Sequence, residues 1–147
     1  MKYFDDYQIG DQEISRARTV TETDIVLFAA FSGDWYPLHT DAEFAKNTPF
    51  GERIAHGFLV LTIASGLMPL TEMAIVAFYG MDKVRFTGAT KIGDTIHVEM
   101  EVLDKKEHDG GMGLIAFKQS IKNQRGEEVA LSTIKVLLSK NVKDGVK

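Results

Sequence analysis

The chain is 147 residues long, is 44% hydrophobic, and carries 17 basic against 21 acidic residues, for a formal charge of -4. This length and hydrophobic content suit one well-filled core, so we predict a single domain over residues 1–147. The mild acidic excess disfavours nucleic acid as a partner. The absence of cysteine excludes disulfides, thiolate nucleophiles and cysteine-bound metals.

We expect neither a secretory signal nor a membrane-spanning segment in this sequence. Its first residues include acids where a signal peptide has an apolar run, and no apolar stretch reaches the roughly 18 residues that cross a bilayer. We therefore expect a cytoplasmic protein with no membrane partner. Residues 141–147 are predicted to form a loose terminus.

The first predicted helix ends directly before an acidic residue. Thr21 and Asp24 match a capping box with a shorter acid, and apolar residues follow at helical spacing. Gly33 then ends the helix. Asp34 is thus expected just beyond a helix end.

A proline follows within three residues and shapes the next segment. Because Pro37 cannot continue a helix, we expect His39 in a short loop, after which Asp41 caps a brief helix over residues 42–46. The side chains of Asp34 and His39 can then point into the same space from the two sides of a tight turn.

A second long helix is predicted from Gly57 to Leu67, with apolar residues around its circumference, which is typical of a buried helix. Its two polar residues, Thr62 and Ser65, lie three positions apart and share a face that could line a site. Gly57 would let a ligand oxygen approach a free N–H at the start of the helix. Simple packing is the alternative explanation for this glycine.

Beyond this helix the apolar pattern changes to period two. Strands are predicted over residues 74–79, 83–86, 95–104, 113–121 and 129–139. The turn segments at 109–113 and 123–126 are short enough only for hairpin-like returns, so the sheet should be antiparallel. The predicted fold class is α+β, with a long curved antiparallel sheet wrapped around one buried central helix.

Asp34 and His39 are the candidate catalytic residues. Either residue alone is more often structural, but an acid and an imidazole in a loop locked by Pro37 can serve as a general acid/base pair. His56 has two possible roles. Its ring could support the site by bonding to loop backbone, or it could act in the site directly.

A metal site is the alternative for the same segment. His39, Asp41 and His56 resemble in kind the two-histidine, one-carboxylate triad of non-haem iron sites. However, His56 comes only 15 residues after Asp41, at a helix start, and Asp41 already serves as a helix cap. We therefore expect no metal and no other cofactor.

Two motifs together carry a family resemblance. The segment SGDWYPLHTD, followed by FGERIAHGFL, resembles the (R)-specific enoyl-CoA hydratases of the MaoC-like dehydratase family. The resemblance implies a hot dog fold with Asp34 and His39 as the catalytic pair. It also implies that the Gly57 N–H bonds the thioester carbonyl and that the Ser65 hydroxyl orients the catalytic Asp.

The chain departs from the family pattern at one position. Family members often have Asn-Pro where this chain has Tyr36-Pro37. The catalytic residue types and their spacing are unchanged. The bulky Tyr36 could alter the loop or the acyl pocket.

The activity implied by the resemblance is reversible syn addition of water to a trans-2-enoyl-CoA, giving an (R)-3-hydroxyacyl-CoA without a cofactor. The expected partner is an acyl-CoA thioester. A homodimer or a higher homo-oligomer, with two sheets joined edge to edge, is also expected. A thioesterase of the same fold and a non-catalytic acyl-CoA-binding subunit are the alternatives.

Overall fold

The computed structural model describes residues 1–141, in which six strands form one antiparallel sheet. The strands are β1 (Gln12–Ile14), β2 (Arg18–Thr19), β3 (Ile75–Phe86), β4 (Thr95–His108), β5 (Met112–Lys122) and β6 (Glu128–Ser139). The helices are α1 (Glu22–Ser32), α2 (Pro37–Thr40), α3 (Ala42–Lys46) and α4 (Gly57–Leu67). The sheet order is β1-β4-β5-β6-β3, and β2 pairs with β4 beside β1. Of the predicted loose terminus, residues 142–147 lie outside the described residues.

The predicted bounds of α1 and α4 are confirmed. The Thr21 hydroxyl accepts the Asp24 N–H, and the Asp24 carboxylate accepts the Thr21 N–H, which completes the capping box. Gly33 ends α1 in the left-handed conformation at φ 77°. The capping of α3 by Asp41, whose carboxylate accepts the N–H groups of Glu43 and Phe44, is confirmed as well.

Two predictions about local structure were wrong, and two short strands were missed. His39 lies in the one-turn helix α2 and not in a loop, because Pro37 occupies the first helical position, where its missing N–H costs nothing. The two strands predicted over 74–79 and 83–86 form the single strand β3. The short strands β1 and β2 were not predicted, because two or three residues are too few for a periodic pattern.

The core lies between α4 and the sheet. The buried side of α4 packs against inward-facing residues of the long strands, and its members are Leu59, Val60, Ile63, Ala64 and Leu67. The opposite side of α4 is exposed in the single chain: Phe58 is 73% exposed, and Thr62, Ser65 and Gly66 are also exposed. No helix in residues 1–141 is long and apolar enough to cross a membrane.

Candidate active site

The loop after α1 holds Asp34 at the protein surface. The Asp34 N–H donates to the Ser32 hydroxyl at 3.2 Å, and the Tyr36 N–H donates to Asp34 Oδ1 at 3.2 Å. The second bond is a local side-chain turn of the kind that Asp favours. It fixes one carboxylate oxygen, and no hydrogen bond to the other oxygen is found among residues 1–141.

The His39 ring is fixed by a backbone carbonyl. Its Nδ1 lies 2.8 Å from the carbonyl oxygen of Ile54. A carbonyl oxygen can only accept, so Nδ1 must carry the proton in this bond. In the neutral ring Nε2 is then unprotonated, and it can act as a base or accept a hydrogen bond.

His56 connects the two candidate catalytic residues. Its Nε2–H donates to the main-chain carbonyl of Asp34 at 2.9 Å, and its ring stacks on His39 with centroids 3.9 Å apart. Phe28 packs on His56 at 4.8 Å. This is the kind of contact expected of a residue that supports the loop.

The environment of His56 favours its neutral form. The residue is only 2% exposed, and its Nδ1 has no hydrogen-bond partner among residues 1–141. Burial lowers the pKa of His56 below its ordinary value of 6.5, and the neighbouring His39 acts in the same direction. A protonated His56 would place an N–H at Nδ1, where residues 1–141 offer no acceptor.

This depressed pKa predicts a specific loss of stability in acid. Below pH 6.5 the unfolded chain protonates His56 before the folded chain does, so the free energy of unfolding should fall until the pH reaches the folded-state pKa. In His56→Gln this contribution disappears, and unfolding by urea at several pH values should show a smaller decrease between about pH 7 and pH 5. The exposed His108 gives the control variant His108→Gln, which should keep the wild-type decrease. An equal decrease in His56→Gln would contradict the assignment.

Asp34, His39 and His56 form a cluster that could in principle hold a metal, since one potential ligand atom from each lies within 4.8 Å of the others. The Asp41 carboxylate, which the iron alternative used, caps α3 instead. The two imidazoles are stacked, with their planes inclined by 29°. One nitrogen of each ring donates to a backbone carbonyl, which leaves His39 Nε2 and the buried His56 Nδ1 as the possible ligand atoms. The carboxylate of Asp34 beside His39 also suits proton transfer.

The start of α4 offers a free hydrogen-bond donor next to this cluster. The first amide that bonds within the helix is Val60 N–H, which donates to the His56 carbonyl at 3.1 Å. No acceptor for Gly57 N–H is found among residues 1–141, and no side chain caps the helix. A helix start with free N–H groups favours a negatively charged oxygen.

A largely apolar cavity of about 440 Å³ opens beside His39 and Gly57. Three phenylalanines border it together with smaller apolar residues, and the apolar members include Phe50, Ile54, Phe58, Val60, Phe86 and Val129. Its size suits a small organic group. The free N–H and the imidazole therefore border a space that can hold an apolar chain.

Ser65 does not meet Asp34 within the chain. Its hydroxyl donates to the Thr62 carbonyl of the same helix at 2.7 Å, and no hydrogen bond between Ser65 and Asp34 is found in residues 1–141. Ser65 borders a different cavity of about 580 Å³, near the end of α4. The contact implied by the resemblance is therefore not made inside one chain.

Tyr36 packs beside His39 and is about half exposed. Its ring lies edge-on to His39 at 6.1 Å and to Phe44 at 6.0 Å. Tyr36 is thus in edge-on contact with the His39 ring. It makes this contact from the position where the family often has Asn.

Comparison with known proteins establishes the family. Residues 8–124 match the family model described as the MaoC like domain, and the chain therefore belongs to the MaoC-like dehydratase family. It is 42% identical over 100 residues to Protein MaoC of Klebsiella aerogenes, an alignment that covers 67% of this chain and 30% of that protein. It is 35% identical over 102 residues to the (R)-specific enoyl-CoA hydratase of Rhodospirillum rubrum, covering 69% of this chain and 70% of that enzyme.

Solved structures confirm the predicted fold. The protein described as a monoamine oxidase regulatory protein from Archaeoglobus fulgius superposes with a TM-score of 0.89 at 43% identity, covering 95% of both chains. A Mycobacterium tuberculosis protein described as having a double hotdogfold superposes with a TM-score of 0.86, covering 99% of this chain and 46% of that one. At 19% identity the second similarity shows the fold alone. The predicted hot dog fold and α+β class are thus confirmed.

Proposed function

We propose that the protein catalyses reversible syn addition of water to a trans-2-enoyl-CoA, which gives an (R)-3-hydroxyacyl-CoA. One observation carries the proposal. Asp34 and the correctly protonated ring of His39 stand together, and His39 shares a cavity with the free Gly57 N–H. The hydratase name of the Rhodospirillum rubrum relative supports the same reaction.

The hydrogen-bonding capacities of Asp34 and His39 support a simple mechanism. When Asp34 is ionised and His39 is neutral, both groups accept hydrogen bonds, and together they can hold one water molecule. As the water oxygen attacks C3, one of the pair takes its proton and returns it to C2. Because the proton and the hydroxyl then come from the same side, the addition is syn. No metal or redox cofactor is needed, since the thioester already polarises the double bond.

The start of α4 supplies a hydrogen-bond donor for the negative charge that develops in this reaction. Attack at C3 moves negative charge onto the thioester oxygen. The Gly57 N–H would donate to this oxygen, with help from the dipole of α4. The apolar cavity would hold the acyl chain beside it.

The exposed edge of the sheet supports assembly as a homodimer. β3 is the last strand of the sheet, and its side chains Val76, Phe78 and Tyr79 are about half exposed. A long apolar edge of this kind is prone to pair with a second strand. Sedimentation equilibrium should give twice the mass of the chain, and a monomer at micromolar concentration would contradict this assembly.

Turnover and binding measurements together separate the proposed reaction from its alternatives. Incubation with crotonyl-CoA should remove the absorbance of the enoyl thioester and produce 3-hydroxybutyryl-CoA, without release of free thiol. Free CoA as the main product would instead indicate a thioesterase. Calorimetric binding of acyl-CoA, with no turnover of short, long, branched or dicarboxylic enoyl thioesters, would indicate a non-catalytic binder.

A further inference from the structure

One aromatic ring stands against the start of α4. A Cβ built on Gly57 would lie 2.7 Å from two atoms of the Phe86 ring, which is closer than real Cβ contacts. Phe86 also borders the cavity that contains His39, and its side chain is 51% exposed. The absence of a side chain at residue 57 is therefore what allows this ring to reach the helix.

An irregularity in β3 aims this ring inward. Between the pairs Asp82–Thr133 and Arg85–Leu131, β3 advances three residues while β6 advances two, so β3 contains a bulge. Within it, Lys83 adopts the left-handed region at φ 52°, which is uncommon for a residue with a side chain.

The bulge decides which side chain faces the site. After it, Phe86 opposes Ala130, a fully buried residue of the core, so both point to the inner face of the sheet. In a regular ladder of the same sequence Arg85 would oppose Ala130, and Phe86 would point outward. The strained backbone at Lys83 thus places an apolar ring, and not a cation, against Gly57.

We infer that Phe86 is a specificity-determining residue that excludes acyl groups branched at C2. The inference rests on the proposed function, in which the thioester oxygen is bonded to the Gly57 N–H. C2 is attached to the carbonyl carbon that carries this oxygen, so it lies in the space that the Phe86 ring borders. A hydrogen on C2 fits beside the ring, whereas a methyl group there collides with it. Substituents at C3 and beyond lie farther from Gly57, so this ring should restrict them less than a substituent at C2.

The test compares two substrates that differ by one methyl group. For each protein, kcat/KM is measured with crotonyl-CoA and with 2-methylcrotonyl-CoA, and their ratio is the readout. The wild type should strongly prefer crotonyl-CoA, and Phe86→Ala should reduce this preference by about tenfold or more, since one methyl group changes specificity by this order. The ratio does not depend on the fraction of folded enzyme, so a loss of stability cannot imitate the effect.

Two further variants make the result specific. Phe86→Leu removes the flat ring while keeping an apolar side chain, and it should give a preference between those of wild type and Phe86→Ala. Phe31→Ala removes an exposed phenylalanine from α1 and should leave the ratio unchanged.

The outcomes distinguish this inference from the proposed function. An unchanged ratio in Phe86→Ala, with crotonyl-CoA still hydrated, would overturn the role of Phe86 alone. A wild-type protein that hydrates neither substrate, nor any longer, branched or dicarboxylic enoyl-CoA, would overturn the proposed function itself. A wild type that accepts both substrates equally would also contradict the exclusion of C2 branches.

Discussion

Asp34→Asn and His39→Gln are each expected to lower kcat/KM for crotonyl-CoA by about 10²- to 10⁴-fold, the usual contribution of a general acid or base. Asparagine keeps the shape of the side chain and can still accept the Tyr36 N–H, but it cannot take a proton from water. Glutamine can still donate to the Ile54 carbonyl, but it lacks the basic Nε2. Steady-state hydration rates, with melting temperatures to confirm folding, measure the effect.

Asp41→Asn is the matched control for the loss of the Asp34 carboxylate. Asp41 lies seven residues farther along the chain and caps α3, and asparagine caps helices equally well. Its activity should therefore equal that of wild type. Near-normal activity in Asp34→Asn and His39→Gln would contradict the assignment of Asp34 and His39 as catalytic residues. A large loss of activity in Asp41→Asn would favour the iron alternative.

The second large effect is expected at Gly57. Gly57→Ala should reduce kcat/KM because the new Cβ collides with the Phe86 ring beside the free N–H. Gly66→Ala on the same helix is the matched control, since nothing lies within 4 Å of its added Cβ. Combining Gly57→Ala with Phe86→Ala removes the collision and should restore hydration of crotonyl-CoA.

The Phe86→Ala background also allows the N–H itself to be tested. Gly57→Pro removes this donor, and proline is well tolerated at the first position of a helix. The preceding residue, His56, has φ -57° and ψ 139°, a conformation that suits a residue before proline. We expect Gly57→Pro/Phe86→Ala to be about 10²- to 10³-fold less active than Gly57→Ala/Phe86→Ala, the range known for loss of one oxyanion donor. Equal activity of the two double variants would show that the Gly57 N–H does not bind the developing oxyanion.

Local signals in the sequence predicted the helices that frame the site. Thr21, Asp24 and Gly33 define the ends of α1 by interactions with their own neighbours in the chain. The run of apolar residues from Gly57 to Leu67 predicted both ends of α4, because this pattern too is local in the sequence. Pro37 was harder to interpret, because proline can both break a helix and begin one.

The contacts that orient the site could not be predicted, because they depend on the tertiary fold. The acceptor for His39 is the backbone carbonyl of Ile54, and every residue type carries such a group. The position of Phe86 depends on the bulge at Lys83, and no local sequence motif predicts this bulge. The exposed position of Ser65 likewise follows from how α4 is rotated against the sheet, which its nearly uniform apolar pattern does not specify.

Hydration of crotonyl-CoA in D2O tests the central claim most directly. Asp34 and His39 would exchange their labile protons with solvent, and the proton delivered to C2 would come from the added water. The product should therefore be (R)-3-hydroxybutyryl-CoA with one deuterium at C2, on the same face as the new hydroxyl, as determined by chiral chromatography and NMR. An (S)-product, or deuterium on the opposite face, would contradict the proposed mechanism.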